Sequence, residues 1–299
     1  MLDDLELMLD VVKHSETPLN LYALADAAQN SSLPLAILGS SQKSRCLFSY
    51  DDDAPIAKVS PHLVELDQNI QSRELKWIKR NAPAQPCVTL IATTLDFEPL
   101  FAHFAEFLEV TLPGKEKMFL AFWDPMILAA LIGQPDDQTL HVKGPIYTVE
   151  QLAAFLNPIS HGWYWDREAK LHAFNPTEKI IGAVINKPVL PLTLAQEQVD
   201  MLVELSVPDH VLQHIRENQP GLLIDISEAQ QYNFIRNHLA DAREWGLKGM
   251  GDLLNYCSAA SIYGPQFKNN ETIRALLGKV KAGALSFDEA MDQFPPVNE

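Results

Sequence analysis

The chain has little basic charge. Its 299 residues carry 23 Lys and Arg against 39 Asp and Glu, a formal net charge of −16. No run of Lys and Arg interrupts the acidity, which argues against nucleic acid, since phosphate-backbone binding rests on clustered basic side chains. Cysteine is scarce: Cys46, Cys87 and Cys257 lie far apart with no C-x-x-C pair. An odd, unspaced set fits a reducing compartment, with each thiol acting as a small buried hydrophobe. No uncharged apolar run approaches the roughly 18 residues a bilayer crossing needs. The first residues, Met1-Leu2-Asp3-Asp4-Leu5-Glu6, are acidic where a signal peptide is basic. Internal repeats and low-complexity tracts are also missing. These absences leave a soluble, cytoplasmic protein with no membrane partner as the expectation.

What is there is a globular composition, 47% hydrophobic and 21% charged, long enough for one large domain or two ordinary ones. The densest information lies at 87–123. Cys87-Val88-Thr89-Leu90-Ile91-Ala92-Thr93 is apolar and β-branched, as a buried strand should be. Asp96 stands where it can cap a following helix, with Pro99 in the first turn. Phe97, Phe101, Phe104 and Leu108 recur at helical spacing and share a face. Pro113-Gly114 marks a turn, and 118–123 reads as a returning strand.

The rest of the first half alternates in the same way. Strands are expected at 19–24, 46–50 and about 63–66, a helix at 26–38 ending at Gly39, and an amphipathic helix at 70–80. A short helix follows at 126–132. Thr148-x-x-Gln151 has the form of a capping box, and 162–174 reads as a hairpin around Asp166-Arg167-Glu168. Pro176, Pro188 and Pro191 fall in a stretch without helical period. Beyond it Thr193-x-x-Gln196, Ser227-x-x-Gln230 and Ser286-x-x-Glu289 open helices, and Gly246, Gly264 and Gly283 lie where helices stop. The fold class expected is therefore an α/β lobe, a mixed sheet with helices, at 1–175. A linker at 176–192 and an all-α lobe at 193–299 complete it.

The chemistry-bearing residues are sparse. His210 and His214 share a helix face near Glu217, but Val211 stands where a zinc protease needs its Glu, so a solvated face is the better reading. Gly246-x-x-Gly249-x-Gly251 reverses the dinucleotide-binding spacing and reads as a helix-to-helix turn. Gly39-Ser40-Ser41 lacks the closing glycine of a nucleophile elbow, and Asp51-Asp52-Asp53 lacks the EF-hand spacing. Asp96 and Glu98 are an acid/base pair only on paper, since both have a structural task at a helix start. Neither a catalytic set nor a cofactor or metal site is expected. Aromatics are the surplus. In Trp163-Tyr164-Trp165 a strand sends neighbours to opposite faces, so at least one large ring is expected to be exposed as a partner anchor, together with Trp245 at a helix end.

Ordered pieces through the first half resemble a known family. They are Leu21-Tyr22-Ala23-Leu24-Ala25-Asp26-Ala27-Ala28, Ser60-Pro61-His62-Leu63-Val64 and Trp77, then Thr93-x-x-Asp96-Phe97-x-Pro99-Leu100 with His103. Phe119-x-x-Phe122-Trp123-Asp124-Pro125-Met126-Ile127-Leu128, Gly144-Pro145-Ile146 and Trp163 follow. This succession resembles the adaptor chaperones, or effector chaperones, of the bacterial type VI secretion system. The chain departs from that pattern at Ala105, Ala121 and Met126, where family members often carry Arg. The resemblance implies a non-enzymatic protein that holds an effector in the donor cytoplasm and loads it onto the VgrG spike. It implies an effector's N-terminal region and the C-terminal region of VgrG as partners. It also implies structural roles for Asp26, Pro61, His103, Asp124, Pro125, Gly144 and Pro145. An immunity protein covering a toxin's active site is the alternative, and a hydrolase using Asp96 or Glu98 is a third reading.

Overall fold

In the computed structural model the described residues are 4–30, 32, 33, 35, 36, 42–49, 55–176 and 188–296. Alternation dictates the first strands. β1 (Asn20–Asp26) pairs antiparallel with β3 (Pro61–Leu66) on one side and β4 (Val88–Thr93) on the other. β2 (Ser44–Cys46) continues the sheet beyond β3. β7 (His161–Trp165) and β8 (Leu171–Phe174) form the expected hairpin beyond β4. The order is β2-β3-β1-β4-β7-β8, and every pair in it is antiparallel. Antiparallel ladders need only short connections, which suits strands this close in sequence.

Both faces of this sheet are covered. Leu21, Ala23, Ala25, Val64, Leu66, Val88, Leu90, Ala92, Trp163 and Trp165 turn one way. They bury against Leu5, Met8, Leu9 and Val12 of α1 (Asp4–Lys13) and Leu75 and Ile78 of α2 (Arg73–Asn81). The alternate residues, among them Tyr22, Leu24, Thr89, Ile91 and Tyr164, turn the other way and are equally buried. Tyr22 meets Phe97 of α3 (Phe97–Ala105) edge to face. Rings of Phe104, Phe107, Phe122 and Phe155 then cluster around His103, whose Nε2 lies 2.8 Å from the Phe155 carbonyl. Phe122 precedes α4 (Pro125–Ile132), and Phe155 lies on α5 (Val149–Leu156), which the Thr148–Gln151 capping box opens as expected.

A second, small sheet joins distant stretches. β5 (Glu109–Thr111) pairs antiparallel with β6 (Lys117–Phe119) and parallel with β9 (Leu192–Thr193). The returning strand expected at 118–123 is therefore only three residues long. The chain turns at once, with the Phe122 N–H bonding the Leu120 carbonyl and the Asp124 N–H the Ala121 carbonyl. Asp26 is the last residue of β1 rather than the start of a helix. The rest of that expected helix, with the Gly39 and Asp51 motifs, falls partly or wholly outside the described residues.

The chain divides into two compact units, ending and beginning at Leu202 and Val203. Pairing of β9 with β5 keeps residues 192 and 193 in the first unit, so the division falls later than the 176–192 linker, of which 177–187 lies outside the described residues. It falls within α6 (Gln196–Asn218), where Gln198, not a Thr193 box, bonds back to the Ala195 N–H. The second unit is helical. α7 (Glu228–Glu244), α8 (Met250–Tyr263), α9 (Gln266–Asn269), α10 (Glu271–Lys281) and α11 (Phe287–Met291) enclose a core that includes Val211, Ile235, Leu239, Tyr256, Cys257, Phe267 and Ile273. Ser227 and Ser286 form capping boxes, and Gly246, Gly264 and Gly283 take positive φ at helix ends. All three cysteines are free and buried. Among the described residues no helix is long and apolar enough to cross a membrane.

Candidate functional site

Three of the four residues expected to anchor a partner are not on the surface. Trp163, Tyr164 and Trp165 are 5%, 0% and 3% exposed, so the expectation of an outward ring is overturned. The reason is the second covered face: alternation separates the two Trp rings from Tyr164, but packing waits on both sides. Trp245 ends α7 half-buried against the helical core. The three β7 rings belong to the core, whereas part of Trp245 stays exposed.

Tyr164 has a polar task that sequence did not reveal. Its O–H donates to Asp137 Oδ2 at 2.9 Å, and its ring stacks on His172 at 5.3 Å. His172 Nε2 in turn lies 2.8 Å from Asp166 Oδ2. Asp137 Oδ1 accepts from the Thr139 N–H and hydroxyl, and Asp166 Oδ1 from the Glu168 and Lys170 N–H groups. Burial first, then the Asp137 charge, holds the Tyr164 phenol far above its ordinary range, so it remains a donor. Ligand atoms of Asp137, Asp166 and His172 lie within 4.8 Å of one another, close enough to suggest a cation. Each carboxylate oxygen nevertheless has a protein donor, and the set works as a joint between the 134–139 loop and the β7–β8 hairpin.

The other positions singled out are structural joints too. Asp124 caps α4, its Oδ1 accepting from the Met126 and Ile127 N–H groups, with Pro125 at the first helical position. Its Oδ2 accepts from Gln29 Nε2 at 3.1 Å. Asp26 accepts from the Ala28 N–H, and burial, then the nearby Asp124 charge, pushes its carboxyl up to about 6. Pro61 begins β3. Gly144 has φ +66 before a cis Pro145, and an added Cβ would lie 1.9 Å from the Ala130 carbonyl oxygen. Of this group the structure brings only Asp26 and Asp124 into electrostatic reach.

The acid/base pair does not converge. Asp96 occupies the N-cap of α3 without capping it, and accepts instead from Asn20 Nδ2. Glu98 is gripped by Arg45 through two 2.9 Å bonds and by Lys43, and these bonds hold its carboxyl below the usual range. His210, His214 and Glu217 are exposed on α6, as a solvated face requires.

What the surface does offer is an apolar edge. Phe119 of β6 is 58% exposed and its neighbour Met118 is 40% exposed. The Phe119 ring rests on Phe48 at 4.8 Å, and Phe48 meets Trp123 edge to face at 5.3 Å. All three residues of β6 are exposed, so Met118 and Phe119 stay out of the core. The apolar pattern of 118–123 carried no sign of it. Residues 21–141 match the family model described as a domain of unknown function, DUF4123. That stretch runs from β1 past α4. It contains Asp26, Pro61, His103, Asp124, Pro125 and the Phe119 edge, and it excludes Gly144, Pro145 and the β7–β8 hairpin. No curated protein and no solved structure matches the chain.

Proposed function

We propose that this protein is a non-enzymatic adaptor of a type VI secretion system. It holds an effector by the effector's N-terminal region in the donor cytoplasm and presents it to the C-terminal region of the VgrG spike. The observation that carries the reading is an exposed apolar strand edge, Met118 and Phe119, inside the stretch that matches the domain model. The same stretch holds most of the ordered pieces whose succession resembles the adaptor family. Chain edges and aromatic rings supply affinity for protein segments without reacting groups.

The test is co-expression with an effector and the spike protein of a type VI system from the same genome, followed by affinity purification through a tag on this chain. Recovery of both, together or separately, is the expected result, and recovery of neither overturns the reading. An immunity protein is the second reading, favoured by the charge of −16, which suits a basic toxin. Deleting the gene separates them: losing an immunity protein kills the producing cell, whereas losing an adaptor silences delivery.

A further inference from the structure

The hydrogen bonds around β6 fix which way its backbone points. The Leu112 N–H bonds the Glu116 carbonyl at 2.8 Å, and the Leu120 N–H bonds the Leu108 carbonyl at 2.9 Å. Bonded pairs alternate with unbonded ones along an antiparallel ladder. The pair between them, Val110 with Met118, is therefore bonded, and Lys117 and Phe119 face Thr111 and Glu109 as unbonded pairs. On the far side of β5 the same phase appears, since the Thr111 carbonyl accepts from the Leu194 N–H beyond β9. The N–H and C=O groups of Lys117 and Phe119 thus point away from β5. Among the described residues no strand pairs with them there.

Natural edges of this type are blunted by an outward Lys, a proline or a bulge. Here the one Lys is drawn back over its own sheet, with Nζ 2.5 Å from Glu109 Oε1. Phe119 projects on the same face as that pair and Met118 on the other, so one exposed apolar side chain stands on each face beside the edge. Two copies of a chain at −16 repel, whereas a basic segment is drawn to it.

We infer that the free edge of β6 takes an extended segment of a client protein, apolar at alternate positions and basic between them, as an added strand of the small sheet. Backbone bonds form to Lys117 and Phe119, and one apolar side chain of the segment lies on the Phe119 and Phe48 rings. This rests on the adaptor reading only in that the occupant is a protein client.

The probe is a fluorescein-labelled ten-residue peptide alternating Val and Lys, compared with its Glu-for-Lys counterpart, added to the full chain. Binding is read by anisotropy, and amide exchange at Lys117 and Phe119 by NMR. The expected result is slowed exchange at both amides and at least about tenfold tighter binding of the Lys peptide. Phe119→Pro removes an edge donor that β5 does not use, and should weaken binding about tenfold with an unchanged circular dichroism spectrum. Phe119→Ser keeps the backbone and tests the ring alone, so a misfolded proline variant does not shield the idea. Unchanged exchange at the two amides, equal affinity in both variants, or self-association of the chain through those amides overturns it. A Phe119→Pro chain that still captures effector and spike overturns the edge and leaves the adaptor reading standing. Wild-type chain that captures neither overturns the adaptor reading whatever the peptide does.

Discussion

Replacing Tyr164 by Phe separates a fold-holding ring from a partner-binding one. The ring stays, with its stacking on His172, so the change removes one oxygen and leaves no sizeable cavity. What is lost is the O–H donor to Asp137 Oδ2. Asp137 and Tyr164 are both 0% exposed, so water has no easy path to the orphaned oxygen. A hydrogen bond to a charged group contributes about 1.5–3 kcal/mol, and that range is the expected loss. The other carboxylate oxygen keeps its two bonds from Thr139, which argues for the lower half of it. Trp77, Trp123, Trp163 and Trp165 all lie in the first unit and Trp245 in the second. In a Trp245→Phe background, tryptophan fluorescence during urea unfolding reports the first unit alone, as a protein of two units requires. With a slope of about 2–3 kcal/mol per molar urea, the midpoint should fall by roughly 0.5–1.5 M. A shift below about 0.2 M refutes the assignment of Tyr164 to the buried joint.

Three further outcomes follow from the buried carboxylate, the tight glycine and the helix cap. The Asp26 carboxyl titrates near 6 in the folded chain against 3.8 ordinarily, so the folded state binds its proton more tightly and stability falls as pH rises from about 4 to 6. Asp26→Asn should lose that slope and gain about 1–3 kcal/mol at pH 7 but nothing at pH 3.5, measured by denaturation at both values. Gly144→Ala should cost at least about 1–2 kcal/mol from its left-handed backbone, with the collision against the Ala130 carbonyl added, seen as a lower unfolding temperature of the first unit. Ser286→Ala breaks the capping box of α11 and should cost about 1 kcal/mol, with local amide exchange faster in the second unit and unchanged in the first.

Local patterns were readable where one element decides the outcome. The short helix expected at 126–132 forms, with Asp124 as its cap, and three of the four capping boxes read from sequence form with both of their bonds. Asp96 shows the limit: its backbone sits at the N-cap, but a neighbour 76 residues away, Asn20, supplies a donor to its side chain. The Trp163-Tyr164-Trp165 run was misread through the same kind of gap. An unbroken apolar strand is the mark of burial on two faces, and assuming one core forces a ring outward that the fold in fact covers. Asp137 and Asp166 are separated by α5 and β7, and Asp166 and His172 by the hairpin turn, with no spacing that links all three. β9 joins β5 from 82 positions further on, Val110 with Leu192, which no local period encodes.

The two kinds of aromatic in this chain make opposite demands on an experiment. Trp163, Tyr164 and Trp165 lie on β7, between β4 and β8, and all three are buried, so truncating any of them lowers stability and thereby every downstream function at once. Loss of client binding in such variants therefore says nothing about where a client sits. Among the described residues Phe119 is the one aromatic among the large exposed hydrophobics, and its removal uncovers part of the Phe48 ring but no core residue. A binding defect that appears on changing Phe119, with an unfolding curve that overlays wild type, is for that reason the cleaner evidence. It reports the surface, because among the described residues the ring contact given for Phe119 is the one with Phe48.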